Sequence, residues 1–158
     1  MNIGMESKDQ KILRVGVIGT GDIFNSHYQA YPDHPYAVVV AFYDRIRARA
    51  ESWYDRMSDQ MEMIYDAYSE EDVEDLDEDE KGLLEKVEIF KKEAKVYDSI
   101  KDMIQHVDLI DICTPNYAHG PYAIWALNLG KSVMVEKPPA RCSLETQWIV
   151  EAQKKSKG

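Results

Sequence analysis

The sequence has few of the features that mark secreted or membrane proteins. Its 158 residues include only two cysteines, Cys113 and Cys142, which are too few for the disulfide framework of a small secreted domain. No apolar run approaches the ~18 residues that a membrane-spanning helix needs. The first residues, Met1 to Lys11, lack the apolar core of a secretory signal. These absences predict a reduced, cytoplasmic location.

Basic residues are also scarce, with 19 Lys and Arg against 29 Asp and Glu and a formal net charge of −10. This balance argues against binding to a nucleic-acid backbone and against adsorption to an anionic membrane, because both need a basic surface. Nine of the acidic residues lie between Glu70 and Glu80, and the rest of the chain carries a net charge of −1. The acidity therefore belongs to one segment.

Apolar runs alternate with helical patterns along the rest of the chain. Strands are predicted at residues 14–18, 37–43, 95–97, 109–113 and 132–136, of which the first two are predicted to be buried on both faces. Helices are predicted between and after the strands. The first has an apolar stripe of Ile23, His27, Ala30 and Tyr31, and the second has one of Ala50, Trp53, Tyr54 and Met57. This alternation predicts an α/β fold, a doubly wound parallel sheet in three layers (a Rossmann fold), over residues 12–158, after a tail at 1–11.

One unit of this pattern is too long. The second strand, its helix and the third strand span residues 37–98, whereas such a unit needs about 30 residues. The excess, about 58–93, contains the acidic run and predicts a solvated helical insertion or a partly disordered loop. No calcium-loop pattern is present, so no metal site is predicted, and docking to a basic partner remains an alternative.

A glycine turn follows the first predicted strand. Gly19-Thr20-Gly21-Asp22-Ile23 opens a predicted helix, the setting in which backbone N–H groups meet a pyrophosphate. Gly19 would allow the tight turn, and Gly21 would let a phosphate approach without a Cβ in the way. Phe24 stands where a third glycine is usual, so a purely structural turn is the alternative.

Asp44 ends the second predicted strand, 23 residues after Gly21. Dinucleotide-binding folds place an acidic residue at this distance on the adenosine ribose, where it accepts hydrogen bonds and repels a 2′-phosphate. NAD is therefore favoured over NADP as the cofactor, although Arg45 could stack on adenine or meet a phosphate. An ordinary acidic residue at a strand end is the alternative.

Three segments together resemble the Gfo/Idh/MocA family, the relatives of glucose–fructose oxidoreductase and inositol dehydrogenase. They are residues 19–23 with His27, Thr114-Pro115-Asn116 with His119, and residues 130–138, in which Glu136-Lys137-Pro138 is the most specific match. The resemblance covers residues 12–155 apart from the acidic segment. It implies the NAD(P)-binding domain of an oxidoreductase that transfers a hydride between the cofactor and a sugar, polyol or related substrate.

The resemblance also implies roles for individual residues. Lys137 would be catalytic, contacting the substrate hydroxyl or carbonyl and assisting proton movement, and the bond before Pro138 would be cis. The implied and predicted cofactor-binding set is Gly19, Thr20, Gly21, Asp22, Ile23, Asp44, Arg45, Cys113, Thr114, Pro115, Asn116, His119, Glu136 and Lys137. Cys113 is interpreted as core packing rather than as a nucleophile, and His27 as a helix residue with local hydrogen bonds.

The substrate domain of this family is predicted to be absent. The chain alone would then bind cofactor without efficient turnover, and its uncovered interface would favour a homo-oligomer or another partner. Two other functions remain open. One is a stand-alone dinucleotide-binding or sensor module acting through a protein partner, and the other is a methyltransferase that binds S-adenosylmethionine.

Overall fold

A computed structural model describes residues 11–70 and 74–158. The predicted tail before residue 11, and Glu71 and Asp72 of the acidic run, lie outside the described residues. The strands are β1 (Leu13–Ile18), β2 (Ala37–Tyr43), β3 (Lys95–Val96), β4 (Leu109–Ile112) and β5 (Ser132–Val135). The α-helices are α1 (Asp22–Tyr28), α2 (Arg47–Tyr68), α3 (Glu78–Glu93), α4 (Ile100–Met103), α5 (His119–Asn128) and α6 (Ser143–Lys155). Two short 3₁₀ turns cover Ile104–His106 and Asn116–Ala118.

The five strands form one parallel sheet in the order β3-β2-β1-β4-β5. The chain adds strands outward from β1 in one direction, then returns and adds β4 and β5 on the other side. This confirms the predicted doubly wound Rossmann fold. The reversal between β1 and β4 leaves a crevice at their carboxyl ends, which is where such folds bind ligands.

Helices cover both faces of the sheet. On one face, Trp53 of α2 packs on Phe24 and Tyr28 of α1, with ring centroids 5.0 and 5.1 Å apart. On the other face, Gly16 of β1 leaves room for Met103 of α4, whose side chain lies 3.3 Å from where a Cβ would be. The apolar core lies between these layers, as expected for strands that are apolar along their whole length.

The predicted stripe of the first helix is wrong by one position. Phe24 and Tyr28 are the buried residues of α1, whereas Ile23 is 46% exposed. The helix also ends at Tyr28, so Ala30 and Tyr31 belong to the following loop. The physical reason is Trp53, whose large ring offers the aromatic residues of α1 a better contact than it offers Ile23.

The excess at residues 58–93 is largely helical where it is described, because the end of α2 and the whole of α3 fall within it. Asp77 and Glu80 form a capping box at the start of α3: the Asp77 carboxylate accepts from the Glu80 amide at 2.9 Å, and Glu80 accepts from the Asp77 amide at 2.8 Å. The inner side of α3 is buried, and Phe90 stacks on Tyr54 of α2 at 5.7 Å. Part of the acidic run therefore begins a core-packed helix.

No described helix is long and apolar enough to cross a membrane.

Candidate functional site

The carboxyl ends of the strands are joined by backbone hydrogen bonds that continue the sheet into the loops. Gly19 after β1 donates to Tyr43 of β2 at 2.8 Å, and Cys113 after β4 donates to Ile18 of β1 at 2.9 Å. Glu136 after β5 donates to the carbonyl of Ile112 in β4 at 3.2 Å. Because these loops are fixed to one another, the predicted glycine turn, the loop after β4 and the Glu136 segment lie along one edge.

A cleft of about 440 Å³ opens at this edge. Predicted site residues that line it are Gly19, Gly21, Asp22, Ile23, Asp44, Arg45, Cys113, Thr114 and Pro115, and further lining residues are Tyr43, Ile46, Arg49, Tyr117, Ala118 and Tyr122. Three larger depressions, of about 700, 620 and 530 Å³, are present in the described part of the chain: the first is near the amino ends of the strands, the second is an apolar groove beside α1, and the third lies on the other side of the glycine turn, between the starts of α1 and α2. We assign the site to the carboxyl edge because parallel sheets bind ligands there.

The two glycines of the turn differ in backbone conformation and in the space around them. Gly19 has a φ of +89°, and a Cβ there would lie 3.0 Å from the backbone carbonyl of Cys113. A Cβ on Gly21 would have no described atom within 4 Å, because it would project into open space. Gly19 is therefore required by the fold, whereas Gly21 leaves the space that a ligand needs.

Thr20 lies between these glycines but does not line the cleft, since its residue is only 2% exposed. Its amide and hydroxyl donate to one carboxylate oxygen of Asp44, at 2.8 and 3.3 Å, and its carbonyl accepts from the Trp53 indole at 2.9 Å. The other oxygen of Asp44 accepts from the Ile46 amide at 2.7 Å. The structure therefore gives Thr20 the role of orienting Asp44, so a direct contact of its side chain with a cofactor is not supported.

The loop after β4 contains an unsatisfied polar group. The Thr114 hydroxyl is buried and has no hydrogen-bond partner within the described part of the chain. Such groups usually have a partner, so this oxygen is suited to a polar group of a ligand in the adjacent cleft. Asn116 begins the exposed 3₁₀ turn that follows, and its place in a cofactor site stays a prediction.

The His119 side chain contacts both the loop after β4 and the segment after β5. Its ring nitrogens lie 2.6 Å from the Thr114 carbonyl oxygen and 2.8 Å from that of Pro138, and the residue is 2% exposed. The prediction that its side chain lines the cleft is not supported by this geometry, because both polar atoms are used and the ring is buried. Its position holds the loop after β4 beside the segment after β5.

Lys137 is exposed, and neither it nor Glu136 is among the residues that line the cleft. Its side chain is 90% exposed, and its amino nitrogen lies 3.6 Å from a carboxylate oxygen of Glu136. The same oxygen accepts from the Lys137 amide at 3.1 Å. The Lys137–Pro138 peptide bond is cis, as the resemblance implied.

A polar network behind Glu136 was not predicted. His27 of α1 lies between two carboxylates, with Nδ1 3.0 Å from both oxygens of Asp111 and Nε2 2.9 Å from an oxygen of Glu136. The Tyr31 hydroxyl donates to Asp111 at 2.9 Å, and the Cys113 thiol donates to it at 3.4 Å. The hydrogen bonds of His27 are therefore long-range, not local as predicted. An acidic residue inside an apolar strand was the available signal, because a buried carboxylate needs partners.

These contacts alter the protonation behaviour of the network. Burial opposes the charged form of His27, but its hydrogen bonds to Glu136 and Asp111 outweigh this and raise its pKa. The hydrogen bond from His27 lowers the pKa of Glu136. Burial and the nearby Asp111 raise the pKa of Cys113, which keeps it a thiol and agrees with its interpretation as a non-nucleophile.

The chain is similar to known proteins both in sequence and in fold. Residues 13–158 match the GFO_IDH_MocA family, described as an oxidoreductase family with an NAD-binding Rossmann fold. Inositol 2-dehydrogenase from Salmonella typhimurium is 28% identical over 147 residues, which cover 91% of this chain and 34% of that enzyme. The chain therefore spans about a third of the length of the curated relatives it matches.

Solved structures show the same fold at lower identity. The WlbA dehydrogenase from Chromobacterium violaceum, in complex with NADH and UDP-GlcNAcA, has a TM-score of 0.67 and 22% identity over 94% of this chain and 33% of its own. The 3-ketoreductase KijD10 from Actinomadura kijaniata, in complex with NADP and TDP-benzene, has a TM-score of 0.64 and 19% identity over 90% of this chain and 34% of its own.

Proposed function

The chain belongs to the Gfo/Idh/MocA oxidoreductase family, whose domain is an NAD-binding Rossmann fold, and from this we propose that its carboxyl-edge cleft binds a nicotinamide dinucleotide. The observation that carries the proposal is the joint placement of the glycine turn and Asp44. Thr20 of that turn holds the Asp44 carboxylate, and both glycines and Asp44 line the same cleft. This is the arrangement that dinucleotide-binding folds use for the pyrophosphate and the adenosine ribose.

The groups in the cleft fit the parts of such a cofactor. The open space at Gly21 lets a pyrophosphate approach the first amides of α1, which have no acceptor within the helix. Asp44 supplies carboxylate oxygens for ribose hydroxyls. The unpartnered Thr114 hydroxyl supplies a hydrogen-bonding group on the opposite wall.

We assign the reaction class to hydride transfer on a sugar, polyol or related hydroxyl or carbonyl substrate. The named activities of the relatives, inositol 2-dehydrogenase and a 3-ketoreductase, support this class. When bound, the nicotinamide would supply the hydride chemistry. The exposed amino group of Lys137 would contact the substrate oxygen and move its proton, and Glu136 would hold the lysine beside the cleft.

Asp44 favours NAD over NADP, because a carboxylate repels the 2′-phosphate that distinguishes the two cofactors. Arg45 and Arg49 also line the cleft and would attract that phosphate. The carboxylate is held by two backbone amides beside the glycine turn, whereas Arg45 is an exposed side chain. We therefore expect tighter binding of NAD, with NADP as the weaker ligand.

Efficient turnover is proposed to need more protein than these 158 residues. The chain spans 34% of inositol 2-dehydrogenase, and the exposed Lys137 lies where a substrate pocket would have to be completed.

The family match disfavours the methyltransferase and the stand-alone sensor. An apolar groove beside α1 is lined by Leu13, Leu109 and Met134, and it supports the prediction of self-association. Measuring the mass of the chain in solution by sedimentation would test this prediction.

Calorimetric titration tests the cofactor proposal. We expect the chain to bind NADH and NAD, to bind NADP more weakly, and not to bind S-adenosylmethionine. Asp44→Asn should narrow the difference between NAD and NADP, whereas Asp55→Asn, on the exposed side of α2, should leave it unchanged. Absence of NADH binding, or tighter binding of NADP by the unaltered chain, would contradict the proposal.

A further inference from the structure

The hydrogen-bond partners of His27 specify its protonation state. Each ring nitrogen lies within 3.0 Å of a carboxylate oxygen, Asp111 on the Nδ1 side and Glu136 on the Nε2 side. Ionised carboxylates only accept hydrogen bonds, and a neutral imidazole has a single N–H to donate. When both carboxylates are ionised, both contacts are hydrogen bonds at once only if the ring carries two protons.

We propose that His27 is a positioning residue, an imidazolium that bridges the buried Asp111 to Glu136 and thereby holds the Glu136–Lys137 segment at the carboxyl edge of the sheet, beside the end of β4. Its consequence for catalysis rests on the proposed function, whereas the bridge itself requires no cofactor.

The bridge connects a buried residue of β4 to the segment that follows β5 at the carboxyl edge of the sheet. Asp111 is 0% exposed in the middle of β4, and His27 lies over it from α1. Nε2 of His27 contacts one oxygen of Glu136, and the second oxygen accepts from the amide of Lys137 and lies 3.6 Å from its amino nitrogen. The position of Lys137 therefore depends, through one carboxylate, on an anchor in the core.

Charge explains why an imidazolium is needed at this position. Without it, the Asp111 and Glu136 carboxylates would have no cation between them, and Lys137 would be the nearest counter-charge to Glu136. The groups that face the bridge are Asp111 from β4, Cys113 after β4, Glu136 and Lys137 after β5, and Tyr31 after α1, which bonds Asp111. Among them only Lys137 carries a positive charge.

A bound metal ion is the competing explanation for the same cluster. Ligand atoms of His27, Asp111 and Cys113 lie within 4.8 Å of one another. The bridge and a metal site differ in one respect, because a metal would occupy Nδ1 as a ligand and remove its proton. The test therefore follows the protons of His27 directly.

The test is a pH titration of the four histidines by NMR, followed through their ring Cε1–Hε1 signals. The His27 signal is the one that is missing from the spectrum of His27→Gln. We expect His27 to deprotonate at a higher pH in the folded chain than in the urea-unfolded chain, because its hydrogen bonds to two carboxylates favour the charged ring. The backbone amide of Lys137 should shift with the same midpoint. Glu136→Gln should lower the His27 midpoint by about one unit, and the exposed-site control Glu151→Gln should not.

Two results would overturn the proposal at this stage. One is a His27 midpoint that is the same in the folded and in the urea-unfolded chain, together with a Lys137 amide that does not follow it. The other is a change in the His27 signals on adding EDTA, which would assign the cluster to a metal. If His27→Gln does not fold, the signals are assigned by through-bond experiments, and the Glu136→Gln arm alone decides.

NADH titration then separates this proposal from the proposed function. His27→Gln should weaken NADH binding several-fold, while His34→Gln, in the loop before β2, should bind as the unaltered chain does. Equal affinity in both variants would refute the positioning role. If the unaltered chain binds no NADH, the proposed function fails while the titration still decides whether the bridge exists.

Discussion

Three glycines of this chain allow backbone strain, steric overlap and ligand access to be measured separately. Gly19 and Gly130 both have positive φ, at +89° and +73°. A Cβ on Gly130 would meet nothing within 4 Å, whereas one on Gly19 would lie 3.0 Å from the Cys113 carbonyl. Gly21 has an ordinary negative φ and an open surrounding. Alanine at each position therefore tests a different effect.

The expected magnitudes follow from these differences. Gly130→Ala should lower the free energy of unfolding by about 1 kcal/mol, the cost of a left-handed backbone for a residue with a Cβ. Gly19→Ala adds an overlap with rigid backbone to that strain, and we expect a loss of about 3 kcal/mol. For a chain of this size, 1 kcal/mol corresponds to roughly 2–4 °C in Tm. Gly21→Ala should leave Tm within about 1 °C, because surface substitutions free of strain change stability little.

Differential scanning calorimetry measures the three stabilities, and calorimetric titration with NADH measures binding. Gly21→Ala should weaken NADH binding at least about tenfold, since its Cβ occupies the approach to the pyrophosphate. Gly130→Ala should bind NADH as the unaltered chain does. A Gly19→Ala protein as stable as Gly130→Ala would refute the packing argument. A Gly21→Ala protein with full NADH affinity would refute the assignment of the cleft.

Three further substitutions test groups that support the site. Lys86 is buried and donates to backbone carbonyls of the loop after α1, and burial lowers its pKa to about 8. The unfolded chain therefore binds more protons above pH 8, so the free energy of unfolding should rise by about 2 kcal/mol between pH 8 and 9.5 in urea melts. Lys86→Met should remove this rise, and an unchanged profile would contradict it. Asp77→Ala should cost about 1 kcal/mol by loss of the capping box, whereas the exposed Asp75→Ala should cost nothing measurable; equal losses would refute the capping role. Trp53→Phe should cost about 1–2 kcal/mol because the Thr20 carbonyl loses its donor, and an unchanged urea midpoint would show that this bond contributes little.

Local patterns were sufficient to predict the sheet. The run at 37–43 is apolar at every position, so its strand assignment does not depend on what packs against it. The positions of the glycine turn and Asp44 were also predictable, because both directly follow predicted strands. Both lie in the cleft as expected. Features governed by position along the chain were therefore accessible from the sequence.

Features governed by a distant partner were not accessible. The rotation of α1 is decided by Trp53, which comes from the next helix. His119 belongs to the motif that lines such clefts, but the carbonyls of Thr114 and Pro138 take both of its nitrogens. The His27 bridge joins residues 84 and 109 positions apart. Only the folded sheet brings these groups together.

The hydrogen bonds of Asp44 couple the proposed cofactor choice to the shape of the glycine turn. The carboxylate that would exclude a 2′-phosphate is also the acceptor for the amides of Thr20 and Ile46. A replacement of Asp44 by a residue without an acceptor oxygen would therefore also loosen this turn. If the proposed function holds, an exchange of cofactor through such a residue would need a second substitution that supplies a new acceptor for the Thr20 amide.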